Sequence, residues 1–168
     1  MRFNRLVTAV VILLVTLILG ACQPATPTPA PTPVPVTEEN KAVVRRLYDE
    51  LWNQGNLAIV DELVAADFVD HNPDPGQPPG PEGWKQSATV SRAGFPDLQV
   101  TIEDMVAEGD RVTLRLKGSG THTGEFAGIP PTGNQFSAGW VDVVRVEDGK
   151  IAERWGQFDA LGFLTQLG

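Results

Sequence analysis

Two aspartates, Asp142 and Asp159, and two tryptophans, Trp140 and Trp155, lie within the segment 135–159 near the C-terminus of the chain. A carboxylate beside apolar side chains can accept a proton and return it, which is the task of a general acid/base residue. A sheet face that only packs a core rarely carries acids, because a buried carboxylate is costly unless it is paired or used. This combination of residues therefore predicts a pocket.

A long antiparallel hairpin is predicted to position these residues. Asp148-Gly149 supplies the positive φ angles of a type I′ turn between two runs rich in β-branched and aromatic residues. A two-residue loop sets Glu147 opposite Lys150. Counting outward from that pair sets Asp142 opposite Trp155. Because side chains alternate between faces, one face of the hairpin is predicted to carry Trp140, Asp142, Val144, Val146, Ile151, Glu153, Trp155, Gln157 and Asp159.

Two further strands are predicted to precede the hairpin. Apolar residues alternate with polar ones from Leu98 to Glu103, Gly109-Asp110 predicts a turn, and alternation resumes from Val112 to Leu116. If no bulge intervenes, His122 lies on the same face of this strand as Val112 and Leu116. This position directs His122 into the space that the hairpin lines. The four strands are expected to form one antiparallel sheet.

Three helices are predicted before these strands. The first has Thr37 as its N-cap and ends at Gln54-Gly55-Asn56, and the second covers about Leu57 to Ala65. The third covers Glu82 to about Ala93, with Trp84 on its packed side. Helices on one face of a curved antiparallel sheet predict an α+β domain shaped as a cone around a pocket.

The N-terminus resembles the export signal of bacterial lipoproteins. Arg2 and Arg5 precede an apolar run, Leu6 to Leu19, that is short for a membrane-spanning helix, and small residues then lead to Cys22. Cys22 is the only cysteine of the chain, so its predicted role is lipidation. Residues 1–22 are then a signal peptide, and the exported protein is anchored by lipid to the bacterial cell envelope. An ordinary signal peptide or an uncleaved anchor is the alternative.

A linker and a single domain are predicted to follow. Residues 23–36 contain six of the 14 prolines of the chain and have no apolar face, so they are expected to form an extended spacer. Residues 37–168 have the length of one domain that can bury a substantial core.

The charge of the chain excludes some partners. Without Arg2 and Arg5, 11 basic residues stand against 21 acidic ones, a net charge of about −10. Such a balance argues against nucleic acid or anionic lipid as a partner. The chain has two histidines and one cysteine and no set of ligands at a recognisable spacing, so no metal site is predicted.

Several short segments of the predicted domain occur in the order found in a known family. They are Asp70 to Pro73, Phe95 to Leu98, Gly120 to Gly124, Gly128 to Gly133, Asp148 to Ile151, and Glu153 to Trp155 with Asp159. Together they resemble the SnoaL-like polyketide cyclases, also called ester cyclases, which have the cone fold of nuclear transport factor 2. The resemblance covers essentially all of residues 37–168.

The resemblance implies a cofactor-independent site in the mouth of the cone. In the family, an aspartate near the end of the last long strand is the general acid/base of an intramolecular aldol condensation, and Asp159 matches that position. Either His122 or His71 matches a histidine that lines the cavity of the family. The implied partners are a small hydrophobic ligand with a carbonyl group and a second copy of the chain, in a homodimer. Family members often carry histidine where this chain has Arg154.

Other roles for these residues stay open. Asp159 could be the N-cap of a short C-terminal helix, Asp142 could pair with Arg154 or Arg115, and His71 could brace the proline-rich loop that follows it. Two functions are therefore considered, a cofactor-independent enzyme and a non-catalytic lipoprotein that binds small molecules at the cell surface. In addition to Asp159 and His122 as catalytic residues, the residues predicted to bind substrate are His71, Trp84, Trp140, Asp142, Trp155 and Gln157.

Overall fold

The computed structural model describes residues 35–168. The predicted signal peptide, Cys22 and positions 23–34 of the predicted linker lie outside the described residues. The described elements are helix α1 (Val36–Tyr48), which continues into a π-helical turn (Asp49–Asn53), α2 (Ala58–Leu63), β1 (Val64–Asp70), α3 (Pro81–Gly94), β2 (Gln99–Glu108), β3 (Arg111–Thr121), β4 (Gln135–Glu147), β5 (Lys150–Phe158) and α4 (Ala160–Leu167).

Helix α1 begins slightly earlier than predicted. Pro35 occupies the N-cap position and Val36 is the first helical residue, so the prediction of Thr37 as N-cap is wrong. The fixed φ angle of proline suits the start of a helix, where a backbone N–H has no partner within the helix. The helix packs on the core through apolar side chains, among them Val44 and Leu47, which are fully buried.

The π-helical turn joins α1 to the sheet. Tyr48, at the end of α1, and Trp52, within the turn, both line a cavity between the helices and the sheet. The side chain of Asn53 accepts a hydrogen bond from the backbone nitrogen of Val100 at 2.7 Å and donates one to its carbonyl oxygen at 2.9 Å. Asn53 thus extends the hydrogen bonding of β2 and fixes the helix against the sheet.

The residues predicted to end the second helix begin strand β1 instead. Only Val64 and Phe68 are buried in this strand, and their spacing of four residues imitates a helix. Strand β1 pairs with β5 in parallel. The sheet therefore has the order β1-β5-β4-β3-β2 and is mixed, whereas an all-antiparallel sheet was predicted.

The predicted meander of four strands and the predicted α+β class are confirmed. Strands β2 to β5 form an antiparallel meander, and Val112, Leu114 and Leu116 share its buried face. Three helices precede the meander and pack on the concave side, which gives the predicted α+β domain around a pocket. No helix between residues 35 and 168 combines the length and the apolar character needed to cross a bilayer.

The β4–β5 hairpin has the predicted turn but a different register. Asp148 and Gly149 have φ angles of 49° and 74°, and Glu147 pairs with Lys150. Val146 then pairs with Ile151 and Arg145 with Glu153, so Ala152 is an extra residue in a β-bulge.

The bulge moves every later residue of β5 to the opposite face. Asp142 pairs with Gly156, and the predicted pairing of Asp142 with Trp155 is wrong. Because a shift of one residue exchanges the two faces of a strand, Arg154, Gly156 and Phe158 point to the concave side.

Candidate functional site

A cavity of about 350 Å³ lies between the helices and the concave face of the sheet. Its size is within the range of small-molecule sites. Most of its wall is aromatic or aliphatic and comes from nearly every element of the domain. The apolar wall residues are Trp52, Phe95, Leu98, Val100, Phe126, Phe136, Phe158 and Phe163.

The phenylalanines of this wall support one another. Phe163 of α4 packs edge to face on Phe136 and Phe158, with ring centroids 4.9 Å and 5.4 Å apart. Phe95 packs edge to face on Phe136 at 4.8 Å. Such contacts add to the stability gained from burying the rings, so the C-terminal helix is part of the cavity wall.

Arg154 lies between two carboxylates at the polar end of the cavity. Its Nη2 atom is 2.8 Å from Oδ1 of Asp142, and its Nη1 atom is 3.1 Å from Oδ2 of Asp70. Burial alone would lower the pKa of the guanidinium, but the charges around it, above all that of Asp142, raise the pKa above its usual value. Arg154 is therefore a permanent cation in a largely apolar cavity.

Asp142 accepts the shortest hydrogen bonds of this group. Its Oδ1 atom accepts from Nε of Arg154 at 3.0 Å, and its Oδ2 atom accepts from the hydroxyl of Tyr48 at 2.6 Å and from the indole nitrogen of Trp140 at 3.1 Å. Burial, followed by the negative charge of Asp142, raises the pKa of Tyr48 well above its usual value. Tyr48 therefore remains a hydrogen-bond donor to Asp142.

Asp70 is held by longer hydrogen bonds. Its Oδ2 atom accepts from the indole nitrogen of Trp84 at 3.3 Å and from the amide of Gln77 at 3.5 Å, and its Oδ1 atom accepts from the backbone nitrogen of Asn72 at 3.0 Å. Its side chain is 6% exposed. The polar end of the cavity thus holds two carboxylates and one guanidinium, a formal charge of −1, which we call the Asp70–Arg154–Asp142 cluster.

Three predicted ligand-binding residues lie in the cavity. Trp84, Trp140 and Asp142 all line it. Asp142 also forms the ion pair with Arg154 that was considered as an alternative. The pocket role and the pairing therefore occur together in this residue.

Two predicted ligand-binding residues of β5 do not line the cavity, because the bulge at Ala152 turns them to the outer face. The ring of Trp155 stacks on His71 at 4.4 Å, and Nε2 of His71 lies 2.7 Å from Glu153. Gln157 is exposed. The predicted cavity positions of Trp155, Gln157 and His71 are wrong.

The two predicted catalytic residues also lie away from the cavity surface. Asp159 is exposed at the N-cap of α4, where its Oδ1 atom accepts a hydrogen bond from the backbone nitrogen of Gly162 at 2.9 Å. His122 is fully buried, its Nδ1 atom lies 3.1 Å from the hydroxyl of Thr132, and its ring stacks at 5.2 Å on Phe95, which forms the wall. The predicted positions of Asp159 and His122 on the cavity face are wrong, while the N-cap alternative for Asp159 is correct.

Sequence reasoning missed four residues of the polar end. From the sequence alone, neither Tyr48 nor Gly156 is singled out, Asp70 is named only within a segment shared with the family, and Arg154 is named only as a departure from the family and a partner for Asp142. Arg154 was the residue in the sequence that could have indicated this cluster. A charged residue next to predicted pocket positions needs a partner of opposite charge. Within residues 35–168, no three side chains of His, Cys, Asp or Glu converge to hold a metal ion.

Known proteins with similar sequences and structures share this domain. Residues 42–167 match the family described as SnoaL-like polyketide cyclase. The chain is 34% identical over 122 residues to the nogalonic acid methyl ester cyclase of Streptomyces nogalater, covering 70% of this chain and 89% of that protein. It is 31% identical over 133 residues to the aklanonic acid methyl ester cyclase DnrD of Streptomyces peucetius, covering 75% and 88%. The solved structure of IdmH from Streptomyces antibioticus has a TM-score of 0.67 and 39% identity and covers 77% of this chain and 98% of that one.

Proposed function

Because the chain belongs to the SnoaL-like polyketide cyclase family, we propose that it catalyses proton transfer on a small apolar carbonyl compound without a cofactor. The reaction is an aldol-type cyclisation or an isomerisation. The observation that carries this proposal is the Asp70–Arg154–Asp142 cluster, which brings a fixed cation and two carboxylates to one end of an apolar cavity. A cation in such a place can stabilise the negative charge that develops on a carbonyl oxygen.

Asp70 is the better candidate for the proton acceptor. Each oxygen of both carboxylates faces at least two donors, but all the donors to Asp142 lie at 3.1 Å or less. The side-chain donors to Asp70 lie at 3.1 to 3.5 Å, so a ligand can displace them at a lower cost. Asp70 therefore takes part in the reaction, and Asp142 holds Arg154 in place.

Arg154 is assigned to the carbonyl oxygen of the ligand. A guanidinium has five N–H groups, and among residues 35–168 the partners of Arg154 are Asp70 and Asp142, each reached through one or two nitrogen atoms. N–H groups therefore remain for a ligand oxygen. A neutral carbonyl fits this position better than a free carboxylate, because the cluster already carries a formal charge of −1.

The proposed steps conserve atoms and charge. The Asp70 carboxylate removes a proton from a carbon that lies between two carbonyl groups, and the resulting enolate oxygen accepts a hydrogen bond from Arg154. The enolate carbon attacks a ketone carbon of the same molecule and forms a C–C bond, and the new alkoxide takes the proton from Asp70. The product is an isomer of the substrate with one additional ring.

The cellular location and the oligomeric state stay predictions from the sequence. We propose that Cys22 carries lipid and that the domain works at the bacterial cell envelope, on the basis of the apolar run and the small residues that precede Cys22. A homodimer is proposed on the basis of the family resemblance.

The experiment that tests the proposal uses the methyl esters of nogalonic and aklanonic acid as first probes. These two compounds appear in the names of the related cyclases. The full-length protein is incubated with each ester. The products are separated by chromatography, and their masses are measured by mass spectrometry. A product of unchanged mass and different retention time is expected. Replacing Asp70 with Asn is expected to reduce its rate of formation about 100-fold or more.

The matched control is Asp67→Asn, the same change on the same strand at an exposed position. Asp67→Asn is expected to keep the wild-type rate. Asp159→Asn tests whether Asp159, rather than Asp70, transfers the proton. Because Asn also serves as an N-cap, this variant leaves α4 intact. Loss of turnover in Asp159→Asn, with normal turnover in Asp70→Asn, would contradict the assignment of Asp70. Tight binding of both esters without any product would instead indicate a binding protein.

A further inference from the structure

Gly156 occupies a position in the cavity wall where a side chain has no room. It lies on β5 opposite Asp142, on the same face as Arg154 two residues earlier. A Cβ atom added to Gly156 would lie 2.6 Å from Cζ of Arg154, 2.6 Å from Oδ1 of Asp142, and closer still to Nη2 of Arg154. Real Cβ atoms essentially never approach other atoms so closely, so the guanidinium uses the space that a side chain would fill.

The backbone conformation does not explain the glycine. Several glycines of the described chain have positive φ angles that other residues rarely adopt, and Gly156 is not among them. Its backbone nitrogen donates an ordinary hydrogen bond to the side chain of Asn72 at 3.1 Å. Any residue could adopt this strand conformation, so space is the remaining requirement.

We propose that Gly156 is a positioning residue for Arg154: the missing side chain lets the guanidinium lie between Asp70 and Asp142, at the end of the cavity where the ligand carbonyl binds. Residue 156 therefore decides whether the cation of residue 154 or its own side chain faces the ligand. Residues 154 and 156 depend on each other for space, and the bulge at Ala152 places both of them on the cavity face of β5. Only the position of the ligand carbonyl rests on the proposed function.

Moving the guanidinium of Arg154 to another position would destabilise the protein. Moving it away would leave the side chains of Asp142 and Asp70, which are 2% and 6% exposed, without their cation. A buried charge that loses its partner is strongly destabilising. A methyl group at residue 156 must therefore either break these ion pairs or displace strand β5.

A double-mutant cycle in the full-length protein tests this coupling without any substrate. Gly156→Ala is expected to lower the melting temperature by about 10 °C, because it disrupts the buried ion pairs. Arg154→Lys keeps the cation and lacks Nη2, and in that background Gly156→Ala is expected to cost less than about 5 °C. If Gly156→Ala alone fails to fold, the double variant is expected to restore folding.

Gly139→Ala is the matched control. Gly139 also lies in a strand without a positive φ angle, and an added Cβ would meet no atom closer than 3.6 Å. This variant is expected to melt within about 2 °C of the wild type.

The NMR signal of the Arg154 Nε–H group, assigned by its absence in Arg154→Lys, reports on the guanidinium directly. It is expected to shift or broaden in Gly156→Ala and to stay unchanged in Gly139→Ala. An equal cost of Gly156→Ala in both backgrounds, or an unchanged Nε–H signal in Gly156→Ala, would overturn the proposal. Because neither readout needs a ligand, a failure of the proposed reaction would leave this result interpretable.

Discussion

Alkaline pH tests the buried hydrogen bond between Tyr48 and Asp142. Tyr48 is the only tyrosine of the chain and is 1% exposed, and its hydroxyl lies 2.6 Å from Asp142. Burial, and then the charge of Asp142, raise the pKa of Tyr48 well above the usual value of 10. The folded protein thus holds this proton more tightly than the unfolded chain. The resulting stability is fully present below the unfolded pKa and is lost as the pH rises toward the folded pKa.

The size of the effect follows from this linkage. With an unfolded pKa near 10, the free energy of unfolding is expected to fall by about 0.4 kcal/mol at pH 10 and by about 1.4 kcal/mol at pH 11. Lysines titrate in the same range, so Tyr48→Phe, which keeps every lysine, provides the reference. This variant is expected to be about 2 kcal/mol less stable than the wild type near pH 8, because Asp142 loses a donor. The difference is expected to shrink by about 1.4 kcal/mol by pH 11.

Two measurements check this prediction. Urea unfolding of both proteins across this pH range gives the difference in stability, and the absorbance of tyrosinate reports the ionisation of Tyr48 directly. The folded wild-type protein is expected to show no tyrosinate until it unfolds. Ionisation of Tyr48 at its usual pKa in the folded protein, or a constant difference between the two stability curves, would refute the reasoning.

Three other perturbations test separate parts of the account. Asp159→Ala is expected to lower the stability by about 1 kcal/mol in thermal unfolding, whereas Asp159→Asn keeps the cap of α4, and equal losses would contradict the N-cap role. Phe163→Ala is expected to cost about 3 kcal/mol in urea unfolding, because it removes a buried ring that contacts four other phenylalanines, and a loss below about 1 kcal/mol would show that α4 is not part of the core. Cys22→Ser is expected to move the protein from the membrane fraction to the soluble fraction of expressing cells, and continued membrane association would exclude lipidation of Cys22 as the anchor.

Local chemistry made part of the fold predictable. Asp148-Gly149 predicted a type I′ turn, and both residues have the positive φ angles that the turn requires. Alternating apolar residues predicted β2 and β3, because one face of β3 is buried, and in β2 buried or half-buried residues alternate with exposed ones over Gln99 to Glu103. These features depend on neighbouring residues, so a single sequence contains the information for them.

The face of β5 was not predictable in the same way. The bulge at Ala152 lies between Ile151 and Glu153, where two adjacent residues, Ile151 and Ala152, are buried. No glycine or proline stands there to mark a bulge in the sequence. One extra residue exchanges the two faces, which brought Arg154 and Gly156 into the cavity in place of Trp155 and Gln157.

The polar end of the cavity depends on contacts between distant parts of the chain. Tyr48 and Asp142 are separated by 94 positions, and Asp70 and Arg154 by 84. No local pattern indicates such pairs. Asp70 was harder still to place, because its strand pairs in parallel with β5 and buries residues at a helical spacing. The composition of the site was therefore partly predictable, whereas its arrangement needed the fold.

Hydrogen exchange on the ligand tests the central claim most directly. A β-keto ester is incubated with the full-length protein in D₂O, and the incorporation of deuterium at the carbon between its carbonyl groups is followed by mass spectrometry. The wild type and Asp67→Asn are expected to accelerate the exchange equally, and Asp70→Asn is expected to exchange about 100-fold more slowly or worse. Exchange by Asp70→Asn at the wild-type rate would contradict the proposal that Asp70 transfers the proton in this cavity.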